Sequence, residues 1–101
     1  MKRPNTLVVK HILDSISRYY NISEDNLCHG NRERIYSEPR QVASYCLYKY
    51  AGMSYWGIAR LFNKRSHRTI IYAVDKVADW IEMPALNRKA VQCVEFVLKY
   101  D

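Results

Sequence analysis

The residues best placed to do chemistry are consecutive: Ser66, His67, Arg68 and Thr69, directly after the basic turn Asn63-Lys64-Arg65. Hydroxyl, imidazole and guanidinium groups in a row are hydrogen-bonding groups. At the opening of a helix they reach base edges or phosphates, and the helix dipole adds its own attraction for a phosphate. Tyr72 follows one turn later and adds a phenol to the same face. No acid–base pair, nucleophile constellation or metal-ligand set emerges elsewhere. The chain therefore reads as a non-enzyme with no cofactor, no metal and no small-molecule substrate. His11 and His29 read as surface residues, and Asp75 and Asp79 as part of a salt-bridged helix face.

Such a row acts only if a helix presents it and a second helix docks that helix. From Pro39 to Val74 the order is a helical stripe, Gly52, a short amphipathic segment (Ser54 to Phe62), the polar turn, and a helix capped by Ser66. That is the layout of a helix-turn-helix, whose last helix turns its N-terminal residues toward base edges.

The charge sits where this reading needs it. The formal net charge is +6, and the stretch from Arg32 to Arg68 holds eight bases against two acids. The remainder holds eight against eight, so the whole excess lies in the segment with the motif. A face that neutralises phosphates releases their condensed counterions and binds accordingly.

At 101 residues the chain is one domain with a modest core. No apolar run approaches the ~20 residues of a membrane span. The basic-then-apolar N-terminus is interrupted by Lys10, His11 and Asp14, and reads as an amphipathic helix and not a signal peptide. Cys28, Cys46 and Cys93 are widely spaced and odd in number. They point to reduced thiols in a cytoplasmic protein, with Cys46 and Cys93 in the core.

Helical periodicity runs throughout, and no segment alternates with the period of a strand. Val8, Ile12, Ile16, Tyr19 and Tyr20 form a first stripe, closed at Asn21 after an N-cap at Asn5. Ser23 caps a short turn that Gly30 stops. Asn31 to Ser37 reads as a polar connector. Ser37 then caps a third helix, with Pro39 in its first turn, running to about Ala51. Its apolar rows are Val42, Cys46 and Tyr50 beside Ala43 and Leu47. Gly52 takes the C′ position, and Ser54 caps a helix burying Ile58, Leu61 and Phe62. Ile70, Val74, Val77 and Ile81 line the recognition helix. Pro84 ends it or opens a last helix that buries Ala90, Val91, Val94, Val97 and Leu98. The fold expected is all-α: a compact bundle of about six helices with a helix-turn-helix. It forms a single domain over 1–101, with residues 84–100 an added C-terminal helix and a candidate protein-partner surface.

Several features together resemble one known family. They are Pro39-Arg40-Gln41-Val42-Ala43 opening a helix, Ser54 with Ile58 four residues on, Phe62 before the turn, and Arg65-x-His67-x-Thr69-Ile70 at the recognition helix. With Tyr19-Tyr20-x-Ile22-x-x-x-x-Leu27 upstream, residues 7 to 83 resemble the C-terminal DNA-binding domain of bacterial chromosomal replication initiators of the DnaA type. The resemblance implies a Trp-repressor-like helix-turn-helix fold and double-stranded DNA as the partner. It also implies a cytoplasmic, nucleoid-associated place in a bacterium.

The resemblance further implies a division of labour: Ser66, His67, Arg68 and Thr69 in the major groove, and Arg32 in the minor groove. Arg34, Arg40 and Arg65 would then lie along the phosphates; the basic segment adds Lys49 and Lys64 to that set, and Tyr72 joins it by its place one turn after Arg68. A narrow A·T-rich minor groove attracts arginine electrostatically, which suits Arg32.

This chain departs from the family pattern at defined places. Ser66 stands for the usual aspartate, Arg68 for a threonine and Tyr48 for a lysine, while Tyr55-Trp56 stand for a leucine-proline pair. The changes at Ser66 and Arg68 imply an altered base preference, and Tyr48 gives up a phosphate contact that Lys49 replaces only in part. No G-x-x-x-x-G-K-[ST] phosphate loop is present, so these residues can bind as an initiator does but cannot melt an origin. The start at Met1 favours a stand-alone protein. The function expected is a regulator of replication initiation or transcription, including one carried by a phage or mobile element. The alternatives are an interaction module that kept the fold without base reading, and the targeting part of a larger enzyme such as a transposase.

Overall fold

The computed structural model describes residues 6–29, 34–63 and 66–99. Asn5, Gly30 and Asn31, which carry expected caps and part of a connector, lie outside these, as do Arg32, Lys64 and Arg65. Six α-helices are present among the described residues: α1 (Thr6–Tyr20), α2 (Glu24–His29), α3 (Arg34–Tyr50), α4 (Tyr55–Leu61), α5 (Arg68–Glu82) and α6 (Arg88–Lys99). A 3₁₀ turn, Pro84–Leu86, joins the last two, and no strand occurs among the described residues.

Each helix end has a local cause. Asn21 closes α1 in the left-handed region at φ 56°, which asparagine tolerates better than most residues. The Ser23 hydroxyl accepts from the Asn26 N–H at 3.0 Å and caps α2. Gly52, at φ 71°, turns the chain after α3, and the Met53 N–H reaches back to the Leu47 carbonyl. The Ser54 side chain accepts from the Gly57 N–H at 3.0 Å and caps α4. Asn63, at φ 55°, begins the turn toward α5.

Helix α3 is the hub, in contact with each of the other five helices. Val42, Ala43, Cys46 and Leu47 are buried along it, facing Ile12 and Ile16 of α1, Leu27 of α2, Ile58 of α4, Ile70 and Val77 of α5, and Cys93 and Val97 of α6.

The start of α3 differs from the expectation. The helix begins at Arg34, so Ser37 is helical and not a cap, and Pro39 lies inside it. A proline there deprives the Ile35 carbonyl of its intrahelical donor. Pro39 is fully buried, and Ile35 is exposed. Apolar positions also differ: Leu61 and Val91 are half-buried, and Tyr50 is 40% exposed and Leu98 41% exposed, each at its helix's last turn, where the stripe rotates off the core.

Polar bonds that periodicity does not show tie the layers together. The Glu38 carboxylate accepts from the Tyr20 hydroxyl at 2.9 Å and from Asn87 Nδ2 at 2.8 Å. Asn87 Oδ1 in turn accepts from the Ala90 N–H, which caps α6. One carboxylate therefore links the end of α1, the start of α3 and the start of α6. His11 is half-buried and not a free surface residue. Its Nε2 lies 2.9 Å from the Val97 carbonyl, which can only accept, so that nitrogen carries the proton.

Cys28, Cys46 and Cys93 are free and buried. Burial raises the pKa of all three, with the Cys93 thiol pushed from 9.0 to about 12. The unfolded chain loses this proton near 9.0, so in the interval up to about 12 the folded state binds the extra proton. Stability is therefore full below about pH 9 and falls as pH rises through that interval. Urea midpoints across the alkaline range should decline, and Cys93→Ala should flatten the decline. A midpoint independent of alkaline pH in the unaltered protein would remove these thiols from the stability balance.

A candidate nucleic-acid interface

The short helix α4 packs on α5, and both pack on α3, which fixes the opening of α5 against the bundle. Phe62, buried just after α4, fills the angle between them. It lines a hollow of about 100 Å³ together with Arg40 and Ser44 of α3 and Thr69 and Tyr72 of α5.

The opening of α5 carries the recognition candidates in the order the sequence gives. The helix proper starts at Arg68, and His67 precedes it with helical dihedrals (φ −70°, ψ −14°) and no capping bond from its own side chain. The cap comes from Ser66, whose hydroxyl accepts from the Arg68 N–H at 3.1 Å. Ser66, Arg68 and Thr69 are exposed, and His67 is half-buried. One turn on, Tyr72 is 62% exposed. Lys49 is exposed in the last turn of α3. Arg34 is the first residue of α3, and its side chain lies outside the description.

Arg40, expected along the phosphates, is 7% exposed. Its Nε donates to the Leu27 carbonyl at 2.7 Å and its Nη2 to the Asn26 carbonyl at 3.1 Å. Those carbonyls belong to the C-terminal part of α2, where helix acceptors lack intrahelical partners. These bonds hold the guanidinium inside the fold. A guanidinium this far inside costs desolvation, which lowers its pKa, yet arginine stays charged.

Aromatic contacts frame the same surface. The Trp56 indole, on the first turn of α4, lies against the His67 imidazole with ring centroids 4.1 Å apart and planes at 34°. Tyr48 of α3 and Tyr55 of α4 stack face to face, 4.3 Å apart with planes at 3°. The Tyr48 hydroxyl beside it pushes the Tyr55 phenol above its ordinary pKa, so Tyr55 is a neutral hydroxyl at neutral pH.

Lys76 was also missed. Its Nζ lies 5.7 Å from the Tyr72 ring centre and 5.6 Å from that of Trp80, in place of a salt-bridged face on Asp75 and Asp79. The signal was present in the i, i+4, i+8 spacing of Tyr72, Lys76 and Trp80. The Trp56–His67 contact joins two helices and has no local signal. Among the described residues no three His, Cys, Asp or Glu side chains gather as a metal site requires, and no helix is long and apolar enough to cross a membrane.

Residues 9–77 match the sequence model of the bacterial DnaA protein helix-turn-helix. The chain belongs to this family. The DnaA-type fold accounts for the all-α bundle and for α4 and α5 as its helix-turn-helix pair, and membership supports DNA binding. Among similar proteins, the chromosomal replication initiator protein DnaA of Magnetococcus marinus is 38% identical over 71 residues, which is 70% of this chain and 16% of that protein. The protein of the same name from Lactococcus lactis is 33% identical over 75 residues, 74% of this chain and 16% of that protein. That from Agrobacterium fabrum is 34% identical over 73 residues, 72% of this chain and 15% of that protein. The chain thus matches about one sixth of the length of these DnaA relatives.

Proposed function

We propose that this chain binds double-stranded DNA sequence-specifically and regulates replication initiation or transcription. The carrying observation is the exposed opening of α5, where Ser66, Arg68 and Thr69 stand free of the core and His67 stands half-buried beside them, within the segment that holds the whole excess of positive charge. In this reading Ser66, His67, Arg68 and Thr69 read the major groove and Arg32 enters the minor groove. Arg34, Lys49, Lys64, Arg65 and Tyr72 hold the phosphates, and Arg40 does not. Phosphate contacts position the domain and the α5 residues specify the site.

The relatives are named as chromosomal replication initiators, and the expected sites are those such proteins bind, or sites retargeted from them by Ser66 and Arg68. In this reading what these 101 residues contribute is occupancy of DNA. The reading as an interaction module has less support. From residue 84 on, Ala90, Cys93, Val94 and Val97 go to the core, and Leu86 and Leu98 are the exposed large apolar side chains among the described residues, about three helical turns apart in sequence.

Selection of bound duplexes from a random pool at near-physiological salt tests the reading. An enriched motif is expected. Affinity for the enriched duplex should fall with salt at a log–log slope of about −3 to −4, from roughly four phosphates neutralised by Arg34, Lys49, Lys64 and Arg65. Salt-sensitive binding without enrichment would leave a non-specific binder, and absence of binding would return the chain to the interaction-module reading.

A further inference from the structure

We infer that Trp56 is a specificity-determining positioning residue that holds His67 in its base-reading orientation. The inference rests on the proposed DNA reading and adds to it a residue outside the recognition helix. Four observations carry it. The His67 side chain makes no capping bond, so the backbone does not orient its ring. The ring lies against the Trp56 indole, 4.1 Å between centroids. The backbone that carries Trp56 is itself anchored, because the first turn of α4 is capped by the Ser54 hydroxyl on the Gly57 N–H at 3.0 Å. Trp56 is nevertheless 60% exposed, so core packing does not explain a residue of this size there.

An imidazole with free rotation about its side-chain bonds loses that freedom on binding, and a side chain ordered beforehand does not. The indole face restricts His67 before DNA arrives and leaves the edge of the ring to donate or accept. Trp56 acts through His67, so removing either should remove the same discrimination.

The test is a double-mutant cycle of Trp56→Ala and His67→Ala, with Trp56→Phe as the conservative variant. The ligand is the enriched duplex and its single-base variants. In the free protein, the His67 ring protons should lie upfield of those of His11 and His29 in an NMR spectrum, and Trp56→Ala should abolish that shift. Trp56→Ala should weaken binding about 3- to 10-fold, the loss falling at the base position that His67→Ala also flattens. The double variant should bind within about 2-fold of His67→Ala alone, and Trp56→Phe should keep most of the discrimination.

Additive losses, an equal loss on every sequence, or no loss would overturn the assignment. If the unaltered protein enriches no duplex while its His67 protons are shifted upfield, the DNA reading has failed and this assignment falls with it. If it enriches a duplex and the cycle is additive, only this assignment falls.

Discussion

Alanine in place of Arg40 should lower the free energy of unfolding by about 2–4 kcal/mol and leave the salt slope of duplex binding unchanged. The guanidinium donates to two carbonyls near the end of α2, Leu27 at 2.7 Å and Asn26 at 3.1 Å. Helix α2 has six residues, too few to be stable alone, and its C-terminal end carries the negative pole of the helix dipole. A cation there satisfies acceptors and opposes that pole. Hydrogen bonds from a charged group contribute ~1.5–3 kcal/mol each, and removing the donor leaves carbonyls beside a buried Leu27 without it. Arg40→Lys should recover less than half of the loss, because an ammonium lacks the planar fork that spans both acceptors. Urea unfolding measures the first effect and a salt titration the second. An unchanged midpoint with a slope shallower by about 1 would restore Arg40 to the phosphates.

Arg40 also marks the limit of what the sequence discloses. Elements set by near neighbours were legible: the Ile12–Ile16 and Ile70–Val74–Val77 stripes, the Ser54 cap, the Gly52 turn, and the hydrogen-bonding row opening α5. Each depends on residues within about one or two helical turns. What was not legible depends on a partner distant in sequence. Arg40 is 13 residues from Leu27, Glu38 is 49 from Asn87, and His11 is 86 from Val97. A basic residue in a basic segment reads as surface until a carbonyl is found facing it. Pro39 misled for a related reason: beside Ser37 it imitates a helix start, while burial by the rest of the core sustains the turn that precedes it.

The recognition row itself supports the other large effect. Ser66→Asp combined with Arg68→Thr should move the enriched motif at two base positions, by ~1–3 kcal/mol of discrimination at each. The fold should tolerate both changes. The Ser66 hydroxyl caps by accepting from the Arg68 N–H at 3.1 Å, and an aspartate accepts there at least as well, with its charge favoured by the helix N-terminus. Arg68 is exposed, so threonine creates no cavity. At the DNA the chemistry changes: aspartate accepts from a cytosine amino group, and threonine offers a methyl to thymine in place of arginine's paired donors to guanine.

Selection with the variant and with each single substitution would resolve the two positions. Identical motifs from all four proteins would mean that neither side chain reads a base. The Arg68 change should dominate. A serine hydroxyl that already accepts one backbone N–H keeps a donor and a second lone pair, and so accommodates more than one base edge. Arginine can only donate, so its replacement removes a preference that serine never imposed.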